Sequence, residues 1–280
     1  MDFLAPGPRS HAHRDRTALG VLLTVTLVAQ GCGREPVRLE DPAPAGTTAI
    51  APRPNVTQPP AEEPMHAERR ERMVRTQIVS RGVRSPLVLD AMRAVPRHRF
   101  VPEELVDEAY ADTPLPIGHR QTISQPYIVA LMTELVRPTK DKRALDVGTG
   151  SGYQAAVLAE IVDHVDSIDI VCPLAEQARE RLTGLGYDNV TIRCGDGWAG
   201  WPGGGPYDII VVAAAPEEIP PPLLAQLAVG GRLVIPVGVG DQELILVEKG
   251  ADGALERRYI TAVRFVPMTG RAQDGDPERE

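Results

Sequence analysis

The chain has 280 residues and a formal net charge of −8, enough for one large α/β domain with an appendage. The acidic balance argues against a nucleic-acid partner, because phosphate binding needs a basic face. Aromatic residues make up only 4%, too few to build a stacking platform for single strands.

At the amino terminus, Arg9, Arg14 and Arg16 precede an apolar run from Thr17 to Ala29. A basic stretch before an apolar run too short to span a bilayer reads as a secretory signal. The run ends in Ala29-Gln30-Gly31-Cys32, which resembles a bacterial lipoprotein cleavage box with a lipidated cysteine. Ala29 and Gln30 depart from the usual form of that box. The alternatives are a misassigned start codon or a buried apolar helix. Residues 33–64 are rich in Pro, Ala, Thr and Glu, a composition that cannot bury a core and suits a tether. The expected organisation is therefore a signal over 1–32, a linker over 33–65, a folded domain over 66–270 and a mobile polar tail over 271–280. The expected location is the cell envelope or periplasm, with a lipid anchor at Cys32; the cytoplasm is the alternative.

His66 to Arg81 carries one apolar stripe, Met73, Val74, Ile78 and Val79, and predicts a helix ended by Gly82. Ser85-Pro86 predicts a second helix, with Ser85 as N-cap and Pro86 at its first position, stopped by Pro96. A third short helix is expected over Glu103–Tyr110. These helices should pack at one end of a sheet. A longer helix is expected over Gln125–Val136.

Beyond this point strands and helices alternate. Strands are expected at Arg143–Val147, Val165–Ile170, Val190–Cys194, Tyr207–Ala213, Arg232–Pro236, Glu243–Val247 and Tyr259–Phe265. Helices are expected at Ser151–Val162, Pro173–Leu185 and Pro220–Ala228. The first five strands should be parallel. The turn signal Lys249-Gly250-Ala251-Asp252-Gly253 makes the last two an antiparallel hairpin. Cys32, Cys172 and Cys194 form no CxxC pair and no Cys/His ligand cluster, so no metal site is expected. Cys172 and Cys194 read as buried thiols near strand ends; a disulfide between them needs a Cβ spacing that sequence does not give.

Leu145-Asp146-Val147-Gly148-Thr149-Gly150-Ser151-Gly152-Tyr153 reads as a strand, a glycine turn and a helix start. Glycines there let backbone approach a ligand closely. In a dinucleotide fingerprint Tyr153 would stand at the third small position, where it obstructs helix–sheet contact. Asp146 suits an ammonium and repels a phosphate. Asp169 ends the second strand and can accept two ribose hydroxyls; Asp196-Gly197 follows the third and can reach an adenine edge. Three strand-end acids around one crevice point to S-adenosylmethionine.

Pro116-Ile117-Gly118-His119-Arg120-Gln121-Thr122-Ile123-Ser124-Gln125-Pro126-Tyr127 names the substrate. With Gly195-Asp196-Gly197-Trp198, Pro206-Tyr207-Asp208-Ile209-Ile210, Ala213-Ala214-Ala215-Pro216, Gly230–Gly238 and Val263-Arg264-Phe265-Val266-Pro267, this segment resembles the protein-L-isoaspartate O-methyltransferases over residues 66–270. Asp169 stands where bacterial members often have Glu, and the amino-terminal extension is no family feature. The resemblance implies an α/β, Rossmann-like class I methyltransferase fold with a helical cap. It implies methyl transfer from S-adenosylmethionine to L-isoaspartyl residues of damaged proteins. The ester then collapses to a succinimide that reopens partly to normal aspartate. It makes Ser124 the catalytic serine and puts Gln121, Thr122, Ile123, Tyr127 and Thr269 near the cofactor, beside Asp146, Gly148, Gly150, Gly152, Asp169, Asp196 and Gly197. A monomer is expected.

The local sequence alone also allows Ser124 to be the N-cap of the helix that follows it. The nucleophile is a carboxylate, ionised at neutral pH, so no strong base is required. His119 reads as a rim residue, and His98 and His164 as surface or packing residues. The rival readings are a different small-molecule methyltransferase on the same fold and a tethered module that binds damaged proteins without turnover.

Overall fold

The computed structural model describes residues 64–274. The expected signal, the expected anchor at Cys32, almost all of the expected linker and the last six residues of the expected tail lie outside the described residues.

Helix α1 (Pro64–Met73) runs on through a π-turn at Val74–Ile78 and a 3-10 turn at Val79–Arg81. Gly82, at φ 99°, ends it in the left-handed region. Helix α2 (Pro86–Ala94) starts at the expected proline, but Ser85 makes no side-chain capping bond. Glu134 instead holds the segment entering the helix: its Oε1 accepts the backbone N–H of both Arg84 and Ser85, each at 2.6 Å. The expected third helix is a 3-10 turn over Glu103–Glu108. A two-strand hairpin that the sequence did not suggest follows, β1 (Leu115–Pro116) with β2 (Thr122–Ile123). Helix α3 spans Pro126–Leu135.

The main sheet contains β3 (Arg143–Val147), β4 (His164–Asp169), β5 (Val190–Cys194), β6 (Tyr207–Val212), β7 (Leu227–Val237), β8 (Gln242–Lys249) and β9 (Leu255–Val263). Its order is β5-β4-β3-β6-β7-β8-β9. The first five pair in parallel, while β8 and β9 are antiparallel, as the alternation predicts. The connecting helices are α4 (Tyr153–Ala159), α5 (Cys172–Gly184) and α6 (Pro221–Gln226). A last helical turn, α7, spans Arg271–Asp274.

The central strands β3, β4 and β6 are covered on both faces and so are buried at successive positions, whereas β9 at the edge is exposed. Ala144, Ile209, Val211 and Val234 join a cluster with α1–α4. Leu145, Val147, Ile210, Val212, Leu233 and Ile235 join the opposite one with Leu223 of α6. The amino-terminal helices, expected at one end of the sheet, thus share the core of one face, packed on α3 and α4. This leaves the carboxyl ends of β3, β4 and β6 open at a single edge, where open parallel sheets bind ligands.

Candidate active site

The crevice begins at the end of β3. The backbone N–H groups of Gly148 and Thr149 donate to the carbonyl of Ile168 at 2.8 and 3.3 Å, which pulls the turn across to β4. Gly148, Gly150 and Gly152 all have positive φ, at 94°, 50° and 87°, so side chains there would be strained. Asp169 locks the turn from β4: one carboxylate oxygen accepts Gly150 N–H at 2.7 Å, the other Val171 N–H at 2.8 Å. Burial raises the pKa of Asp169, while these two backbone donors lower it.

Gln121, Thr122, Gly148, Gly150, Asp169, Gly197 and Thr269 line this crevice together. The rest of the crevice wall includes Ala213 and Ala214, with Ala213 packed beside Gly148, and Val266–Met268; Ala213, Ala214, Val266 and Pro267 fall in family-like motifs that the sequence did not assign to the site. The Val266–Met268 segment is held by backbone bonds, Ala215 N–H to Val266 and Met268 N–H to Ala215. Gln242 clamps Phe265 from both sides, donating to its carbonyl and accepting its N–H. The signal for this wall was a short apolar run after β9 that continues no strand pattern.

Five anticipated contacts stand back from the crevice lining. Asp146 is 0% exposed beneath the turn. Its Oδ2 accepts the Ser167 hydroxyl at 2.8 Å, and Oδ1 has no partner. Burial pushes its pKa up to about 7, the Ser167 hydroxyl opposes this, and the Asp169 charge adds to it. Gly152 faces α5: a Cβ there would meet Ala178 and Leu182 at 3.3 Å. Asp196 caps its own turn by accepting Trp198 N–H and holds the start of α7 by accepting Arg271 N–H. Ile123 is buried behind Ser124, and the Tyr127 ring lies under the Arg81 guanidinium at 4.1 Å.

A second cleft, of about 610 Å³, adjoins the first and shares Thr122, Ala213, Val266 and Pro267 with it. Ser124 lines this second cleft beside Gln125, Ile128 and Arg264. Gln125, not Ser124, is the N-cap of α3, without a side-chain capping bond. The helix therefore leaves the Ser124 hydroxyl uncommitted, against the local N-cap reading. The β1–β2 turn that precedes it puts Gly118, His119 and Arg120 at positive φ, and His119 is exposed. His98 stacks on His66, with ring centroids 4.1 Å apart, and His164 packs beside Asp166.

The cysteine expectation is overturned. Cys172 and Cys194 are joined in a disulfide, with Cα atoms 4.8 Å apart, and both residues are exposed. Parallel pairing of β4 with β5 sets Asp169 opposite Cys194. The turn after β4 then brings Cys172, three residues on, back over that strand end. Nothing in the local sequence encodes this proximity.

The residues present fit a cofactor with an adenosine and a cationic amino-acid end. A buried carboxylate with one oxygen unpartnered lies below a glycine turn, and a carboxylate fixed at the end of β4 faces the crevice. Such a donor set on a sheet of this order defines a class I S-adenosylmethionine-dependent methyltransferase. The sequence model described as Protein-L-isoaspartate(D-aspartate) O-methyltransferase (PCMT) matches residues 68–273. A protein-L-isoaspartate O-methyltransferase of Synechococcus sp. (strain JA-2-3B'a(2-13)) is 52% identical over 234 residues, covering 81% of this chain and 93% of its own. A solved protein-L-isoaspartate O-methyltransferase superposes with a TM-score of 0.67 at 31% identity, over 72% of this chain and 67% of its own. A putative Plasmodium falciparum enzyme of the same kind, in complex with S-adenosyl-L-homocysteine, gives 0.61 at 26% identity, over 73% and 98%. This chain belongs to the protein-L-isoaspartate O-methyltransferase family.

Proposed function

We propose that Ser124 orients the substrate carboxylate, while the glycine turn and the strand-end acids hold S-adenosylmethionine. The reaction is that of the family: a methyl group passes from S-adenosylmethionine to the α-carboxylate of an L-isoaspartyl residue in a damaged protein, and repair begins. When bound, the cofactor supplies an electrophilic methyl group on a sulfonium centre. Asp169 accepts the ribose hydroxyls with the lone pairs its backbone donors leave free. Asp146 neutralises the amino end from below, directly or through water. Gly197 and Asp196 border the adenine, Gln121 and Thr269 line the cofactor crevice, Thr122 stands in the wall the two clefts share, and Ile123 and Tyr127 support that segment from behind.

The observation that carries this reading is the shared wall of the clefts. A carboxylate beside Ser124 faces the cofactor crevice across Thr122 and Ala213. The substrate arrives ionised, so the site needs no base. Ser124 donates one hydrogen bond that fixes the direction of attack, and the apolar lining excludes water.

The test is methyl transfer from labelled S-adenosylmethionine to two peptides that differ only in isoaspartate against aspartate. Transfer to the isoaspartyl peptide alone, lowered in Ser124→Ala by about 10²-fold, supports the reading. An undiminished Ser124→Ala rate removes Ser124 from the chemistry.

The export reading draws support from two independent features, the apolar run Thr17–Ala29 and the Cys172–Cys194 disulfide. Disulfides persist in oxidising compartments and are rare in the cytosol. Fractionation with intact mass tests it; a cytoplasmic protein that retains Met1–Gly31 excludes the anchor at Cys32.

A further inference from the structure

Arg97 is the bulkiest fully buried side chain among the described residues, at 0% exposure. It opens the short 3-10 turn Arg97–Phe100 after α2. Its Nε donates to the carbonyl of Ala109 at 2.7 Å, and its Nη2 donates to the carbonyl of Ser124 at 2.8 Å. The guanidinium lies over the ring of Tyr153 at 4.8 Å, and Tyr153 is the first residue of α4, directly after the glycine turn. Nη1 has no partner. Among the described residues no carboxylate pairs with this group. Burial pulls its pKa down to about 10, so it stays charged at neutral pH.

A buried charge without a counter-charge is a poor choice for stability, since an apolar side chain of similar volume fills the same space without a desolvation penalty. Such local conflicts are expected where function, not stability, chose the residue. What a guanidinium does here, and an apolar side chain cannot, is grip two carbonyls at once from a fixed planar fork. Those carbonyls come from segments 12 and 27 residues away. One ends the helical cap. The other belongs to the residue whose hydroxyl faces the substrate cleft. Holding the Ser124 carbonyl fixes the peptide plane on which that side chain stands.

We infer that Arg97 is a positioning residue for methyl transfer: it locks the backbone of Ser124, and through it the hydroxyl, against the first turn of the helix that follows the cofactor loop. The inference rests on the role proposed for Ser124.

The test uses the full chain in five forms: wild type, Arg97→Lys, Arg97→Gln, Ser124→Ala, and Arg97→Lys with Ser124→Ala. Rates on the isoaspartyl peptide are divided by the concentration of sites that bind S-adenosylhomocysteine, so partial unfolding does not imitate the effect. Both Arg97 variants should lose kcat on the order of 10²-fold, the scale of a misplacement of about 1 Å, while the KM for S-adenosylmethionine stays within about twofold. In the Ser124→Ala background the Arg97→Lys change should alter kcat by less than about threefold, because coupled residues are not additive.

A wild-type rate in Arg97→Lys, with Ser124→Ala impaired, overturns this inference and leaves Ser124 standing. Additive losses in the double variant overturn it too, since Arg97 would then act apart from Ser124. If Ser124→Ala keeps full activity, the reading beneath the inference falls. If neither Arg97 variant binds S-adenosylhomocysteine, the side chain serves the fold, and a positioning role is excluded.

Discussion

Asp146 is a buried carboxylate whose folded-state pKa stands near 7, well above the ordinary value of about 4. A raised carboxylate pKa means that the folded state holds a proton which the unfolded state has released between roughly pH 4 and pH 7. Stability from this group is therefore fully present at low pH and is lost as pH rises through that window. Cofactor affinity should move the other way, because only the ionised carboxylate attracts an ammonium. We predict that the affinity for S-adenosylhomocysteine rises between pH 6 and pH 8. Asp146→Asn should bind more weakly, flatten that rise and be more resistant to urea at pH 8 than the parent. Calorimetric titration at several pH values checks the first part, and a flat wild-type profile excludes an ionising Asp146 from the ammonium contact. Asp169 is the other carboxylate that bears on this group, and its backbone donors keep it anchored across the same range.

Within the glycine turn, two residues of one motif answer to different neighbours. Gly152 has φ 87°, and a Cβ there would press on Ala178 and Leu182 of α5. Gly152→Ala should destabilise the domain by about 1–3 kcal/mol through strain and overpacking, with little change in cofactor affinity while the protein stays folded. Gly150 lines the crevice, and a Cβ there would meet the Ile117 side chain at 3.3 Å and the Gly148 carbonyl at 3.9 Å. Gly150→Ala should weaken cofactor binding more than it lowers Tm. Thermal melts beside binding curves separate the two, and identical behaviour in both variants would refute the assignment. This difference was not legible in the sequence, because spacing identifies a turn but not what packs behind it. The central strands β3 and β6 were legible because both of their faces are covered and apolar runs mark them. The β1–β2 hairpin was not, since two residues per strand carry no period and its turn depends on His119 and Arg120 at positive φ. Ser85 looked like a cap because local chemistry favours it, but its side chain makes no capping bond, and Glu134, far away in sequence, fixes the entry to the helix through the N–H groups of Arg84 and Ser85.

Across the whole domain, what sequence patterns convey is the order of elements, and what they miss is which chain segments the fold brings side by side. Motifs drew attention to Ser124, Asp169, Gly148 and Gly150, which line the two adjoining clefts. The Arg97–Ser124 bond and the Cys172–Cys194 pair join residues that no local pattern relates. The disulfide ties the start of α5 to the end of β5, next to the two strand ends that carry Asp169 and Asp196. It closes a loop across a separation of 22 residues, for which the loss of unfolded-chain entropy gives about 3 kcal/mol. Reduction should therefore lower Tm by roughly 6–12 °C for a domain of this size. It should also weaken S-adenosylhomocysteine binding, because the loop between Asp169 and α5 gains freedom that binding must then remove. Cys172→Ser with Cys194→Ser should melt at the temperature of the reduced parent and ignore added reductant. Melting curves with and without dithiothreitol, beside a thiol count, decide the matter. If two thiols are released and Tm does not move, the parallel ladder of β4 and β5 holds this edge of the site without the bond, and the covalent tie has no part in cofactor affinity.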